Sequence, residues 1–438
     1  MRQPKQQHLA DYPIWLDDLD PAPDCSAALP AKTDVLIIGG GYTGLNAAFE
    51  TAGAGRETLV LDAGDPGQGC STRNGGQIST SIKPTFSALA QRHGPDRARA
   101  IRDIGAQALA WIEESIAAKG IDCDFSRCGR FHAAHTPAAF EALTRAAKTL
   151  RAEDGITTRI VPREAQMSEL GSARYCGGLV FPDHAALHPA KYHRGLVTAA
   201  QSKGATIIGH CRVTGIAPNG DGFLVQTSRG PIHSRDVIVA TNGYTSGVTP
   251  WLRRRIIPIG SYVIATEPLP RDLVDHLFPT GRIASDTRKV VYYYRTSPDR
   301  RRIIFGGRVS ANETDTKTSG ARLFDAMAGL FPEIADFGIT HSWSGTVAYT
   351  FDEIAHTGSH EGVHYAMGYC GSGVSMASYL GMKLGQRVLG QAIGQTALDD
   401  LPFPTRPFYS GRPWFLPAAV AYYRWRDNRQ SHGNRPSV

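Results

Sequence analysis

Apolar residues along this chain gather in short runs whose period changes from one run to the next, and those changes predict the elements. Residues 35–38, Val-Leu-Ile-Ile, form a continuous apolar stretch that predicts a buried parallel strand. An alanine-rich helical run follows, and Thr58–Leu61 predicts a second strand. Ala, Leu and Arg at helical spacing predict helices over 86–119 and 137–152, expected to form a cap outside the nucleotide-binding part. The segment LHPAKYHRGLVTAAQSKGATIIGHCRVTGI predicts a helix, a buried strand near 205–208 and a turn toward Val213. Alternation over 223–227 and 232–234 predicts a hairpin, and DVIVATNGYT predicts a strand that ends at Thr241, Asn242 and Gly243. Between 258 and 341, IGSYVIATEP, VVYYYRTS and RRIIFGGR are separated by Pro, Asp and Gly, as expected of an antiparallel sheet. Last, MGYCGSGVSMASYLGMKLGQRVLG predicts a helix opened by Gly368, Gly371 and Gly373.

The predicted fold class is α/β: a Rossmann-type dinucleotide domain interleaved with a smaller α+β substrate domain that contains an antiparallel sheet. At 438 residues the chain exceeds the size at which single cores stop growing, so two domains are expected. The nucleotide domain is assigned 30–85, 153–257 and 342–395, the substrate domain 86–152 and 258–341, and a C-terminal extension 396–438. The aromatic-rich tail, 414–425, is read as a helix packed on the core in preference to a membrane-docking one. The polar end, DNRQSHGNRPSV, is expected to be disordered.

Charge changes this picture little. With 47 basic and 40 acidic residues the net charge is +7, and no nucleic-acid motif or long basic run accompanies it. Seven scattered cysteines do not make a disulfide framework, and Cys123 and Cys128 lack partners for zinc, so no metal is expected and a reducing cytoplasm fits best. The first residues are polar and acidic where a signal peptide is apolar, and no window approaches 18 apolar residues.

Chemistry enters with the glycines. Gly39-x-Gly41-x-x-Gly44 lies between the first strand and its helix. Gly39 permits a tight turn, Gly41 lets backbone approach a pyrophosphate, and Gly44 lets helix and strand pack closely, while the helix N-terminus at Tyr42 and Thr43 offers N–H groups to the anion. Asp62, followed by Ala63 and Gly64, ends the second strand about 20 residues on, where its carboxylate is placed for an adenosine ribose. The small-residue loop GQGCSTRNGGQIS follows at once. A nicotinamide enzyme has no special need of it, whereas backbone N–H groups along the edge of an isoalloxazine do. The Gly371 cluster supplies a second helix N-terminus, whose positive end suits an anionic reduced ring.

These three stretches together resemble the FAD-dependent amine oxidoreductases of the D-amino acid oxidase superfamily, as do DTRKVVYYYRTSPDRRRIIFGGR, WSGTVAYTFDEIAHTG and the tail RPFYSGRPWFLPAAVAYYRWRD. The resemblance implies that Val213 meets the adenine through its backbone. It implies that Ser71, Thr72, Arg73, Asn74, Gly75, Gly76 and Gln77 run along the flavin's edge, and that Gly371, Ser372, Gly373 and Val374 reach its pyrimidine end. Some relatives bind FAD covalently through a Cys of a Cys-Met-Tyr-Thr motif, where this chain has Val347, or through a His where it has Arg73. Non-covalent FAD is therefore expected.

The resemblance also bears on substrate. The sarcosine-oxidase type holds a small carboxylate with an Arg and a Lys at positions that match Gly76 and Ser375 here. Without that clamp a longer amine, such as an amide-linked polyamine, is favoured over sarcosine, glycine or D-alanine. Tyr262, Tyr294 and Arg295 are assigned to the catalytic pocket with Arg73, and Tyr292, Tyr293 and Arg308 are further candidate contacts. The reaction implied is hydride transfer from the α C–H of a neutral amine to flavin N5, with the imine hydrolysed to an aldehyde and O2 or another acceptor reoxidising the flavin. His184, His188 and His356 are taken as structural, and Cys370 as an unreactive neighbour of the cofactor. Two other classes are weighed: a nicotinamide-linked dehydrogenase, which leaves two glycine loops unexplained, and a non-catalytic or nucleic-acid-binding flavoprotein.

Overall fold

The computed structural model describes residues 9–17, 19, 20, 22–308 and 315–432. Two eight-stranded sheets carry the molecule. In the first, Lys32–Ile38 pairs in parallel with both Thr58–Leu61 and Gly230–Val239, which in turn pair in parallel with Thr206–Ile208 and Val363–Met367. Central strands of this kind are covered on both faces, which is why Val35, Leu36 and Ile37 are all apolar and fully buried. A hairpin, Val213–Asn219 and Gly222–Thr227, extends this sheet antiparallel from Gly230–Val239. The last six residues, 433–438, lie outside the described part; the stretch before them, expected to be disordered, belongs to the helix Leu416–His432.

The second sheet runs in the order Ile339–Tyr349, Ile257–Thr266, Ile303–Gly307, Tyr293–Thr296, Ile283–Asp286, Arg130–Ala133, Gly178–Phe181, Arg159–Val161. All of its pairings are antiparallel except that of Ile283–Asp286 with Arg130–Ala133. One face packs on the helix Thr316–Leu330 through Tyr262, Ile264, Tyr294, Phe305, Leu323 and Phe331. The other faces the first unit.

Several sequence assignments shift. Arg159–Val161 and Gly178–Phe181, assigned to the nucleotide domain, pair with each other and with Arg130–Ala133 in the second sheet. The start of the segment assigned back to that domain, through Tyr349, is likewise strand in the second sheet. The helical stretch 86–119 breaks at Gly94, whose φ of +82° suits glycine, into Phe86–His93 and Pro95–Ala118. Pro95–Ala118 is not a remote cap: Ile101, Ile104, Ala108 and Ile112 share one core with Val35, Ile37, Leu45 and Leu380. The helix Pro137–Asp154 does lie against the second sheet.

Helices Tyr42–Gly53 and Gly373–Val388 pack face to face. Small residues allow it, since a Cβ at Gly381 would lie 2.3 Å from the Thr43 carbonyl oxygen. Their N-termini are thereby brought to one cavity. Among the described residues no helix is long and apolar enough to cross a membrane, and no cluster of three or more His, Cys, Asp or Glu could hold a metal ion.

Candidate active site

A cavity of about 1380 Å³ runs between the two sheets, larger than the roughly 300–1,000 Å³ of a site for one small ligand. At one end stand the fingerprint residues. Gly39 has φ +109°, and a Cβ there would lie 2.9 Å from the Ala240 carbonyl oxygen; a Cβ on Gly41 would lie 2.8 Å from Ser71 Oγ. Gly44 does not line the cavity but backs onto the Gly39 carbonyl, where a Cβ would lie at 2.0 Å. The N-cap residue of Tyr42–Gly53 is Gly41, which brings no side chain to the first turn. The Tyr42 N–H donates to Ser71 Oγ at 3.2 Å, and the positive end of the helix faces the cavity.

Asp62 closes this end. Its carboxylate accepts from the N–H groups of Gly40 at 2.8 Å and Gly64 at 3.1 Å. Burial raises its pKa and those N–H groups lower it. Ala63, Gly64 and Val213 continue the wall. His193 braces the turn, one ring nitrogen 2.7 Å from the Gly40 carbonyl oxygen.

The loop after Asp62 forms a short helix, Cys70–Arg73, and then the strand Gln77–Ile78. Ser71, Arg73, Asn74, Gly75 and Gln77 line the cavity. Thr72 and Gly76 do not: Thr72 is buried and donates to the Gly67 carbonyl, and Gly76, at φ +68°, is packed against the Leu187 carbonyl. Arg73 donates through Nε to Gln68 O at 2.7 Å and through Nη1 to Ser344 O at 3.3 Å, tying this loop to the second sheet. On the far side Gly371, Ser372, Gly373 and Val374 open Gly373–Val388, whose N-cap, Ser372, makes no side-chain cap and donates instead to Ser81 O. Thr241 and Asn242 line the wall between, with Asn242 Oδ1 accepting from Gly368 N–H, while Gly243 packs on Thr346 away from it.

The cavity brings together the glycine turn at Gly39 and Gly41, the carboxylate of Asp62 and the N-termini of two helices, with a backbone-rich edge between them. Comparison with known proteins decides the family. Residues 34–387 match the family described as "DAO: FAD dependent oxidoreductase". The chain belongs to that family. It is 30% identical, over 90% of its length and 92% of the relative's, to gamma-glutamylputrescine oxidoreductase of Escherichia coli. It is 29% identical over the same shares to the probable oxidoreductase OrdL of Rhizobium meliloti. Among solved structures it resembles glycine oxidase from Geobacillus kaustophilus, with a TM-score of 0.72 at 18% identity, covering 86% of this chain and 99% of that one. L-proline dehydrogenase from P. horikoshii gives a TM-score of 0.69 at 18% identity, covering 89% and 99%. These structural likenesses bear on fold alone.

The residues assigned to catalysis from sequence divide sharply. Arg73 lines the cavity; Tyr262, Tyr294 and Arg295 do not. Tyr262 and Tyr294 point to the helix-covered face of the sheet, where the Tyr294 hydroxyl donates to that of Tyr175 at 2.9 Å. Arg295 is on the cavity side but sealed behind the loop, giving its N–H groups to the carbonyls of Leu187 at 2.9 Å, Gly76 at 3.2 Å and Thr296 at 3.0 Å. Strand alternation is the reason: of the three tyrosines only Tyr293 faces the cavity, its hydroxyl 2.9 Å from Ser261 Oγ, while Tyr292 packs beside the second core. Arg308 lines the cavity and donates to Gly260 O at 2.7 Å.

None of His184, His188 and His356 lines the cavity. Cys370 does, and burial pushes its thiol up to about 11, so it is not a thiolate at neutral pH. Val347 also lines the wall. Sequence reasoning missed two parts. One is the strand Arg130–Ala133, whose Arg130 and His132 face the cavity. The other is the helix Leu416–His432, which lays Leu416, Ala419, Val420 and Tyr423 along it. Asp427 pins that helix by accepting from the N–H groups of Lys289 at 3.2 Å and Val290 at 3.0 Å. Trp414, Tyr422 and Trp425 remain exposed.

Proposed function

We propose that this chain oxidises the C–N bond of a long N-substituted amine, with gamma-glutamylputrescine or a close analogue as substrate. The carrying observation is the reach of the cavity: from the Gly39 turn it continues past the loop that holds Gly75 and on beneath the second sheet as far as Arg130. The likeness to gamma-glutamylputrescine oxidoreductase supports the same substrate class. The two positions that match the small-acid clamp also support it. Gly76 carries no side chain, and Ser375 is buried with its hydroxyl turned to Ser79 O.

Bound FAD would supply the acceptor of a hydride, the two electrons and one proton that leave the amine carbon. The chain's part is to bind and to orient. Gly39, Gly41 and Asp62 would hold the adenosine and pyrophosphate, and the loop from Ser71 to Gln77 with Gly371 to Val374 would flank the ring system. Tyr293, braced by Ser261, walls the space beside Gly75, where a Cβ would lie 3.2 Å from the Tyr293 ring. Hydride loss from the α C–H requires that the amine reach the flavin neutral. With the terminal primary amine of gamma-glutamylputrescine, the imine formed takes up water to give an aldehyde and ammonia.

A panel of amines tests this. Purified enzyme should yield a trappable aldehyde from gamma-glutamylputrescine with oxygen or a quinone analogue as acceptor. Oxidation of sarcosine, glycine or D-alanine to its aldehyde or 2-oxo acid at a higher kcat/KM would overturn the proposal.

A further inference from the structure

Arg130 and His132 stand two residues apart on one strand, so both face the cavity while Phe131 and Ala133 enter the second core. His132 Nδ1 lies 2.9 Å from Ser285 Oγ on the neighbouring strand. Of the other arginines that line the cavity, Arg308 is engaged with the Gly260 carbonyl, Arg73 with two carbonyls and Arg288 with the Asp286 carboxylate, while Arg212 is exposed beside Val213 at the opposite end. Arg130 is different. Among the described residues it makes no hydrogen bond or ion pair; its buried Nε has no partner, and the ring of Phe181 stacks 5.1 Å from the guanidinium carbon. Burial alone acts on its charge, pulling its pKa down to about 10 with no carboxylate to oppose it.

A desolvated guanidinium without a counter-charge is costly, and a planar fork of donors facing a cavity matches a carboxylate. We propose that Arg130 anchors a carboxylate at the far end of the amine substrate, flanked by His132 and Ser285 as neutral hydrogen-bonding neighbours. The substrate class is then an amine whose chain ends in a carboxylate. This rests on the amine-oxidising function proposed above and narrows it.

Sheet geometry sets the chain length. Tyr293, whose ring lies beside Gly75, is paired with Ser285, and Ser285 with His132. Two strand spacings, about 10 Å in all, therefore separate the strand of Tyr293 from that of Arg130. An extended chain covers that distance in roughly eight or nine bonds. Glycine and sarcosine are too short to touch both ends.

The test uses FAD-loaded enzyme, wild type and the variants Arg130→Met and Arg130→Lys, with flavin content and melting temperature recorded to show that each has folded. Glutarate is titrated calorimetrically. N-glutarylputrescine and N-pentanoylputrescine, which differ only in the terminal carboxylate, are compared as anaerobic reductants of the flavin. We expect glutarate to bind about 30-fold more weakly to Arg130→Met, the size expected for loss of a charge-assisted hydrogen-bonded pair, and Arg130→Lys to recover part of the loss. The preference of the wild type for the glutaryl amine should collapse in Arg130→Met. Glutarate binding that ignores residue 130, or a glutaryl preference that survives its loss, would overturn the anchor even if both amines bleach the flavin. If neither amine bleaches it while glutarate still depends on Arg130, the anchor stands and the amine-oxidising function falls.

Discussion

Asp62 shows how one side chain serves fold and site together. Its carboxylate accepts from the N–H groups of Gly40 and Gly64, and it lines the cavity, where we propose that it also holds an adenosine ribose. Asp62→Ala should weaken FAD by about 1–3 kcal/mol through lost charge-assisted hydrogen bonds, measured by fluorescence titration of the apoprotein. Gly41→Val, whose Cβ meets Ser71 Oγ, should prevent stable loading altogether. Equal affinity in both variants would remove the nucleotide assignment. Val347 and Arg73, where relatives carry linking residues, bear on attachment: acid precipitation should release all yellow colour into the supernatant, and colour retained by the pellet would refute non-covalent binding. At this scale legibility was uneven. The glycines and Asp62 announce themselves because the phosphate cradle has fixed spacing, whereas YYYR reveals that successive rings alternate but not which of them faces the cavity. CGRFHAA carries no spacing at all that marks Arg130, because its importance arises from what fails to surround it.

Elements place these residues. The N-termini of Tyr42–Gly53 and Gly373–Val388 reach one cavity because glycines let the helices touch, so Gly381→Val should force them apart, lowering stability by about 1–3 kcal/mol as overpacking does and weakening FAD as well. Chemical denaturation of the apoprotein and flavin titration check the two effects separately. The helix Leu416–His432 is held to the 289–290 turn by Asp427. Asp427→Ala should expose Arg424 and Arg426 to faster tryptic cleavage and should alter substrate on-rates, since Val420 and Tyr423 line the cavity. An unchanged cleavage pattern would show that Asp427 does not hold the helix. Most long helices, the strands of the first βαβ unit and the three β-rich segments that follow residue 258 were legible from period and turn residues. Arg130–Ala133, Arg159–Val161, Gly178–Phe181 and Ile339–Tyr349 were not, because they are short or polar-interrupted runs whose partners lie across long connections.

The whole molecule closes around buried neutral imidazoles, and this sets its response to acid. Burial pushes His132 to about 3, His184 to about 2, and His188 and His193 to about 4. In the unfolded chain each titrates near 6.5. Their contribution is complete above about pH 6.5 and is lost as pH falls toward the folded values, because the unfolded state then binds more protons. Asp62, Asp286 and Glu50, raised by burial, act in the opposite direction, but they are outnumbered, since burial also lowers His93, His341 and His364. Unfolding free energy should fall by about 3 kcal/mol or more between pH 7 and 5, read by denaturant titration at each pH; a flat profile would contradict the burial of these rings. Fold, cofactor and cavity meet in one event, the proposed reduction of a bound flavin by a long amine, and anaerobic stopped-flow bleaching reads that event directly. Mixed with gamma-glutamylputrescine, sarcosine, glycine and D-alanine in turn, the enzyme should lose its flavin absorbance near about 450 nm fastest with gamma-glutamylputrescine, and faster bleaching by any of the small amino acids would contradict the account.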